Sequence, residues 1–583
     1  MLTPILGLVA ALAPLASALP AASPLTTSPP TPVEIEKRQL IPSELSIIAS
    51  LESGIITDIG QKVAATALLS ELQAIVPTAT PTNAEQALSA LSAAFATQSP
   101  SSFVDAAAIV LENSLSPTNA AGLLEALEVF DGINSDNNPN NPSPSTAVYP
   151  KKLPCDAPYS VTEAELRRQI YIPSTFTYGQ KPPVILFPGT GGRGGQNFLG
   201  NFEVLLADVD YADLVWVNPT AFLLADAQYN AELAAYAMNY ISAISGNVNV
   251  SIIAWSQGNI NIQWANKYCK SPPTLPITTD TAQNTPLTTP IGPSTRLIVS
   301  DHIAISPDYH GTILANLIDP GNAIAYSPSV LQQQYNSAFI TALRSNGGDS
   351  AYVPTTNIYS GTYDEIVEPQ QNPNASAILL DARGVGVTNA QVQAVCGADS
   401  PAGFFQDHES MLASSLSAAL VIDALTHAGP GLVSRIDLTS VCQDFIAPGL
   451  SFENFLETEE DIVIAGLEVL TFYMATVEEP AVSAYALKSP TVCATKASST
   501  LKTSTKTTSA KTSSVKTTST KTTSAKATSA KSTSTKTTSA KTTSAKTTAK
   551  AVSTASTKTK KAKASTTSST TAAGLGVTVS IGL

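Results

Sequence analysis

Residues 250–259, Val-Ser-Ile-Ile-Ala-Trp-Ser-Gln-Gly-Asn, decide how this chain is read. An apolar strand runs straight into small-x-Ser-x-Gly and then into the helix-compatible run Ile260 to Tyr268. That is the context of a nucleophile elbow, a tight strand-to-helix turn that lifts a Ser hydroxyl out of the sheet and tolerates little bulk two residues to either side. Those positions are Ala254 and Gly258, and a methyl group is a small departure from the stricter Gly-x-Ser-x-Gly. Ser-x-Gly recurs only at Ser345 and Ser580, and neither has both the small residue and the preceding strand.

A Ser hydroxyl is a poor nucleophile until a base takes its proton, and the base needs a carboxylate to hold its tautomer. Four histidines make elimination feasible. His302 opens an apolar strand, His310 follows Pro307-Asp308-Tyr309 in a turn, and His427 reads as a helix C-terminal residue before Ala428-Gly429-Pro430. His408 lies in a loop before a helix expected over Met411 to Leu425, and it is the best-placed base. Asp364 follows the strand Thr356 to Tyr359 and is the leading acid, with Glu365 and Asp308 as substitutes. The order Ser256, Asp364, His408 is the one an α/β-hydrolase requires. An oxyanion hole needs donors aimed at the developing negative charge: the N–H of Gln257, and the N–H and hydroxyl of Thr190 in Phe187-Pro188-Gly189-Thr190-Gly191-Gly192. The Gly-rich run is no phosphate loop, since no Gly-Lys-Ser/Thr is present.

The strand pattern agrees. Val184 to Phe187, Leu214 to Val217, Val248 to Ala254, Leu297 to Ile305 and Thr356 to Tyr359 are β-branched or apolar runs. Helix-patterned segments around 223–244 and 257–268 separate them, which argues a mostly parallel sheet covered on both faces. Upstream, residues 39–131 are expected to be helical, with Ile48, Leu51, Ile55, Ile59 and Val63 on one face and prolines cutting the region into about four helices. That region either packs on the catalytic body or serves as a propeptide. The turn formers in 132–147 read as a linker, and 148–493 as the catalytic domain.

Charge is segregated along the 583 residues. The segment 494–583 holds 16 of the 32 basic residues and none of the 45 acidic ones, so the remainder carries 16 against 45, a net of −29. Phosphates would be repelled by such a body, and the basic end has no aromatic residue on which a base could stack; nucleic-acid binding is excluded. Lysines at 506, 511, 516, 521, 526, 531, 536, 541 and 546 keep a five-residue step. Ser/Thr/Lys/Ala repeats bury no core, so this tail is expected to be disordered, either an O-glycosylated stalk adhering to an acidic wall or an inert solubilising end.

Residues 1–18 read as a signal peptide ending in Ala16-Ser17-Ala18, with an uncleaved anchor as the alternative. Residues 19–38 form a short pro-segment ending in the dibasic Lys37-Arg38, which places the mature start at Gln39. The five cysteines, at 155, 269, 396, 442 and 493, include no Cys-x-x-Cys and no zinc-like spacing.

Taken together, Pro188-Gly189-Thr190-Gly191, Trp255-Ser256-Gln257-Gly258, Pro307-Asp308-Tyr309, Val353-Pro354-Thr355-Thr356-Asn357, Asp364-Glu365-Ile366-Val367, Ala394-Val395-Cys396-Gly397 and Asp407-His408 resemble the fungal lipase B family. The likeness covers roughly 148–490. It implies an α/β-hydrolase fold and cofactor-free cleavage of carboxylic esters, triacylglycerols included. It also implies Ser256 as nucleophile, His408 as base, Asp364 as orienting acid, and Thr190 with Gln257 as oxyanion hole. Asp308 and Gln333 would line the acyl side, Ile366 and Val367 the apolar wall, and Cys396 would pair with Cys442; the other three cysteines stay unassigned. Thr458-Glu459-Glu460-Asp461 looks like a capped helix start opening the apolar run Ile462 to Met474, which suits a buried helix better than a mobile lid.

The chain is therefore expected to be a secreted, monomeric serine esterase or lipase that meets an ester substrate at a lipid–water interface, with wall association through its tail. The rivals are a short-chain or polyester esterase on the same residues, and a non-catalytic wall protein.

Overall fold

The apolar runs do form strands, and they lie side by side. In the computed structural model the described residues are 74–98, 103–116, 132–153, 156–268, 294–317, 326–361, 363–472 and 474–487. The chain divides into two units, Met1–Ser499 and Thr500–Leu583, and every described residue belongs to the first. The expected signal peptide, pro-segment and repeat tail, together with Cys155, Cys269 and Cys493, lie outside the described residues.

Seven strands make one sheet: β1 (Ile170–Tyr171), β2 (Pro183–Phe187), β3 (Asp213–Val217), β4 (Val250–Trp255), β5 (Val299–Ile305), β6 (Thr355–Tyr359) and β7 (Val387–Gln391). Their order is β1-β3-β2-β4-β5-β6-β7, with only β1 antiparallel. This is the α/β architecture foreseen. From β2 the chain steps outward to β3, then returns past β2 to lay down β4 on its other side. The order thus reverses between β2 and β4, and in open parallel sheets ligands bind in the crevice beyond the strand ends at such a point. The loop after β2 and the turn after β4 both open there.

Alternation along the strands explains how both faces are covered. Ile185, Phe187, Val215, Ile252 and Ala254 pack with the helix α3 (Ala227–Ile244). Val184, Leu186, Trp216, Ile253, Trp255, Ile303 and Ile358 pack with the helix Ser415–Thr426. Central strands buried on two faces read as continuous apolar runs, which is why they were legible. β7 was missed because its Val-Thr-Asn-Ala-Gln is polar and half-exposed at the sheet edge, and β1 because it is two residues long.

Boundaries shift for local reasons. β4 begins at Val250 rather than Val248, and β5 at Val299, after a helical turn at Thr295–Leu297. The helix α3 begins at Ala227, because Phe222 and Leu223 take positive φ (50° and 56°) and Asp226 caps the first turn. The helix expected over Met411 to Leu425 is two, Ser410–Ala413 and Ser415–Thr426, broken where Ser414 is extended. Of the four helices expected before residue 131, two fall in described residues, α1 (Ala84–Thr97) and α2 (Phe103–Glu112). Residues 132–147 lie against the body: the Ile133 carbonyl accepts from the Trp216 indole (2.7 Å), and Asn141 donates to the carbonyls of Arg167 and Ile170.

The last long helix spans Phe452–Thr471 and starts six residues before the Thr458 cap suggested by sequence. Ser451 is the cap: its hydroxyl accepts from the Asn454 N–H while the Asn454 carboxamide accepts from the Ser451 N–H. Thr458 sits one turn inside, its hydroxyl bonded to the Asn454 carbonyl. Ile462, Val463, Ile464, Ala465 and Leu467 of this helix are buried with residues of α1 and α2 and with Ile366, Val367 and Phe405, so it is a packed helix. Cys396 and Cys442 are disulfide-bonded, 46 residues apart. Among the described residues no helix is long and apolar enough to cross a membrane.

Removing a Ser cap typically costs about 1 kcal/mol. Ser451→Ala should therefore lower stability by about that amount in a denaturant titration. An unchanged midpoint would place the helix start elsewhere.

Candidate active site

The turn after β4 is strained by design of its neighbours. Ser256 has φ of 51°, a left-handed conformation that costs a non-glycine residue roughly 1–3 kcal/mol unless its surroundings over-determine it. The loop after β2 presses against it. A Cβ on Gly258 would stand 2.5 Å from the Pro188 carbonyl oxygen, and one on Gly189 would stand 2.7 Å from the Trp255 ring. Both glycines are therefore demanded by the approach of two loops at the β2–β4 crevice.

His408 is buried and held on every side but one. Its Nδ1 lies 3.0 and 3.1 Å from the two oxygens of Asp364. Its backbone N–H donates to Glu365 Oε2 (3.0 Å), and its carbonyl accepts from Trp255 Nε1 (3.2 Å) and the Ser306 hydroxyl (3.3 Å). The Trp255 and His408 rings are 5.2 Å apart between centroids. Nε2 has no hydrogen-bond partner, so the imidazole and the Ser256 hydroxyl are not hydrogen-bonded to one another here. Asp364 is itself anchored, with Oδ1 accepting from the N–H groups of Val367 (2.7 Å) and Ile366 (3.2 Å). The structure brings Asp364, not Asp308 or Glu365, to the imidazole nitrogen. His310 stands 3.6 Å from Asp349 and His427 3.2 Å from Asp423.

Across the crevice three polar side chains interlock. The Thr190 hydroxyl is 2.8 Å from Gln257 Oε1 and 3.1 Å from Gln333 Oε1, while Gln333 Nε2 donates to Gln257 Oε1 (2.9 Å). Gln257 Nε2 donates to the Leu223 carbonyl, which ties this group to the kinked segment before α3. Gly191 takes φ of 69°, and a Cβ there would stand 2.7 Å from Ala465 Cα, so the helix Phe452–Thr471 rests directly on the Thr190 loop. Asp308 is fully buried with no hydrogen-bond partner in another residue, and burial pushes it up to about 7. Ile366 and Val367 belong to the apolar cluster formed with α1, α2 and the last helix. Among the described residues no group of side chains is arranged to hold a metal ion.

These features can be set beside known proteins. No family model matches the chain. Lipase B from Pseudozyma antarctica is 38% identical over 263 residues, 45% of this chain, and the chain spans 65% of that relative's length, just under two thirds. The crystal structure of Aspergillus fumigatus lipase B superposes with a TM-score of 0.64 and 40% identity, covering 76% of this chain and 99% of that one. The chain belongs to the lipase B family of α/β-hydrolases.

In this member of the family a set of carboxyls that sequence reasoning missed lies behind the imidazole. Glu365, Asp407, Glu409 and Glu459 are all buried, from three separate stretches of chain. Neither oxygen of Glu409 or Glu459 finds a donor if every group is ionised. Glu409 lies in hydrogen-bond contact with Glu365, and Glu459 with Asp407, and each of these contacts needs one carboxyl that keeps its proton. Burial raises all four; the charge of the neighbouring acids adds to it for Glu365, Glu409 and Glu459, the last two standing well above the usual 4.5, while hydrogen bonds from Ser410 temper the rise at Asp407. In the sequence Glu365 stands out only as a substitute for Asp364 and Glu459 only as part of a helix start, and the run Asp407-His408-Glu409 is the one hint that acids gather at the imidazole. For His408, burial opposes a charge, but the Asp364 carboxylate, aided by Glu365 and Asp308, outweighs it and holds the imidazole above 6.5.

Carboxyls that keep their protons when folded and lose them when unfolded make stability fall as pH rises from the ordinary carboxylate range through the raised values. The thermal midpoint should thus decline as pH rises from the ordinary carboxylate range through about 8, to which Glu365 is pushed up, and Glu459→Gln should flatten that decline. A midpoint that climbs over this interval would contradict the shared-proton arrangement.

Proposed function

We propose that this chain is a serine esterase or lipase that hydrolyses carboxylic esters, triacylglycerols among them, through an acyl-enzyme on Ser256. The observation that carries the reading is the buried contact of His408 Nδ1 with Asp364, in a fold whose strained Ser256 stands at the β2–β4 crevice. Bound to the carboxylate at Nδ1, the imidazole keeps its lone pair on Nε2, the nitrogen with no hydrogen bond. Ester entry brings the Ser256 hydroxyl and Nε2 together, since contacts of this kind often tighten only once substrate is bound. His408 takes the hydroxyl proton as oxygen attacks the carbonyl carbon, then gives it to the departing alcohol. Water, deprotonated by the same imidazole, later attacks the acyl carbon and frees the acid, and the proton returns to Ser256. The carboxylate of Asp364, fixed by two backbone N–H groups, stabilises the imidazolium in both steps.

Thr190 and Gln257 supply the donors for the oxyanion, and the Thr190 hydroxyl must leave the glutamine oxygens it now meets to do so. Asp308 and Gln333 line the acyl side. A protonated Asp308 would present an O–H rather than a repelling charge to the substrate. Ile366 and Val367 form the apolar wall against the chain. We further propose a secreted monomer that works at lipid surfaces. This rests on the apolar first 18 residues and the dibasic site, and the Lys/Ser/Thr tail supports an association with the wall.

A fluorophosphonate should label the protein and fail to label Ser256→Ala. An unlabelled wild type would favour the non-catalytic reading, and comparing long-chain emulsions with soluble short esters separates lipase from short-chain esterase. Asp364→Asn should cut kcat by about 10⁴-fold with the fold retained. The acid limb of kcat/KM should lie above pH 6.5, because the raised His408 must be neutral to act. A limb well below that value would remove the assigned base.

A further inference from the structure

We infer that Asn259 and His302, two buried residues without a role in the chemistry above, form a positioning pair that holds Ser256 in its left-handed conformation. This rests on the reading of Ser256 as nucleophile. The Asn259 carboxamide Nδ2 donates to the carbonyls of Ser256 (3.0 Å) and Ile305 (3.2 Å). Those two carbonyls also take the backbone N–H groups that set the turn: Asn259 to Ser256 and Ser256 to Ile305, each 3.0 Å. The side chain therefore doubles both the hydrogen bond that closes the turn and the one that ties it to β5.

Two carbonyl oxygens in contact with Nδ2 leave Asn259 Oδ1 only one direction, toward His302 Nε2 at 3.0 Å. An oxygen there needs a donor, which assigns the proton to Nε2. Burial keeps the ring neutral, pulling it down to about 3, so the donor persists across the working range of the enzyme. The ring is fixed edge-to-face against Tyr309, whose hydroxyl meets Asn357 Oδ1 at 3.1 Å, so its orientation is locked from the far side. His302 is thus a permanent donor that aims Asn259, and Asn259 clamps the corner. It is not an acid or base.

The test compares Asn259→Ala, His302→Leu and His302→Gln, the last restoring a donor of similar reach. Sites are counted by fluorophosphonate burst so that kcat is expressed per competent site. Misplacing a reacting group by about 1 Å costs on the order of 10²-fold, so Asn259→Ala should lose about that much kcat with KM within about twofold. The acid limb, set by His408, should not move. His302→Leu should lose about tenfold, and His302→Gln should recover to within about threefold of wild type. Loss of competent sites at unchanged kcat per site would mean a merely structural role and overturn the inference. Equal damage in His302→Leu and His302→Gln would overturn it too, and that pair decides the matter if Asn259→Ala does not fold. A wild type that takes no fluorophosphonate would instead overturn the reading of Ser256 itself.

Discussion

The buried contact between Asp364 and His408 is the interaction around which the rest is arranged. A carboxylate out of water is costly unless its oxygens are hydrogen-bonded, and here two backbone N–H groups and one imidazole nitrogen perform that task. The same bonds fix the orientation of the imidazole and leave its Nε2 without a hydrogen bond. Everything that locates His408 then serves the crevice: Glu365 at its N–H, and Trp255 and Ser306 at its carbonyl. Trp255 belongs to β4, so the strand that delivers Ser256 also grips the backbone of His408, its proposed base.

Around that contact the interior is unusually acidic. Glu365, Asp407, Glu409 and Glu459 join the loops after β6 and β7 to the last long helix, and shared protons let like groups adjoin without mutual repulsion. Stability and the proposed catalysis consequently lean in opposite directions on the pH scale. Protonated carboxyls favour the packed state, whereas in the proposed mechanism an imidazole held above its ordinary value by Asp364 acts only once the medium is alkaline enough to free it. The helix Phe452–Thr471 is party to both, since it carries Glu459 and rests on Gly191 beside Thr190.

Legibility followed the range of the forces concerned. Strands β2 to β6 could be read because burial on two faces leaves an unbroken apolar run, and the corner at Ser256 because its steric demands fall on residues two positions away. β7, half-exposed and polar, left no such trace. The start of the last helix was misplaced because Thr458 and its following acids imitate a cap, while the working cap at Ser451 uses an asparagine. Asn259, His302 and Glu459 carried no signal of these roles: each depends on a partner some 40 to 50 residues away, Ile305 and His302 for Asn259, and Asp407 for Glu459.

The sequence by itself determined the local facts: a strand ending in a serine corner, a glycine-bearing loop after an earlier strand, and a histidine following the acids in chain order. Nearest-neighbour sterics and apolar periodicity suffice for those. Only the tertiary structure decided which acid meets the imidazole, which nitrogen is left open, and which carboxyls must share protons. Those outcomes depend on distances across the crevice and on exclusion of water, which arise only when β2, β4, β5 and the covering helices come together.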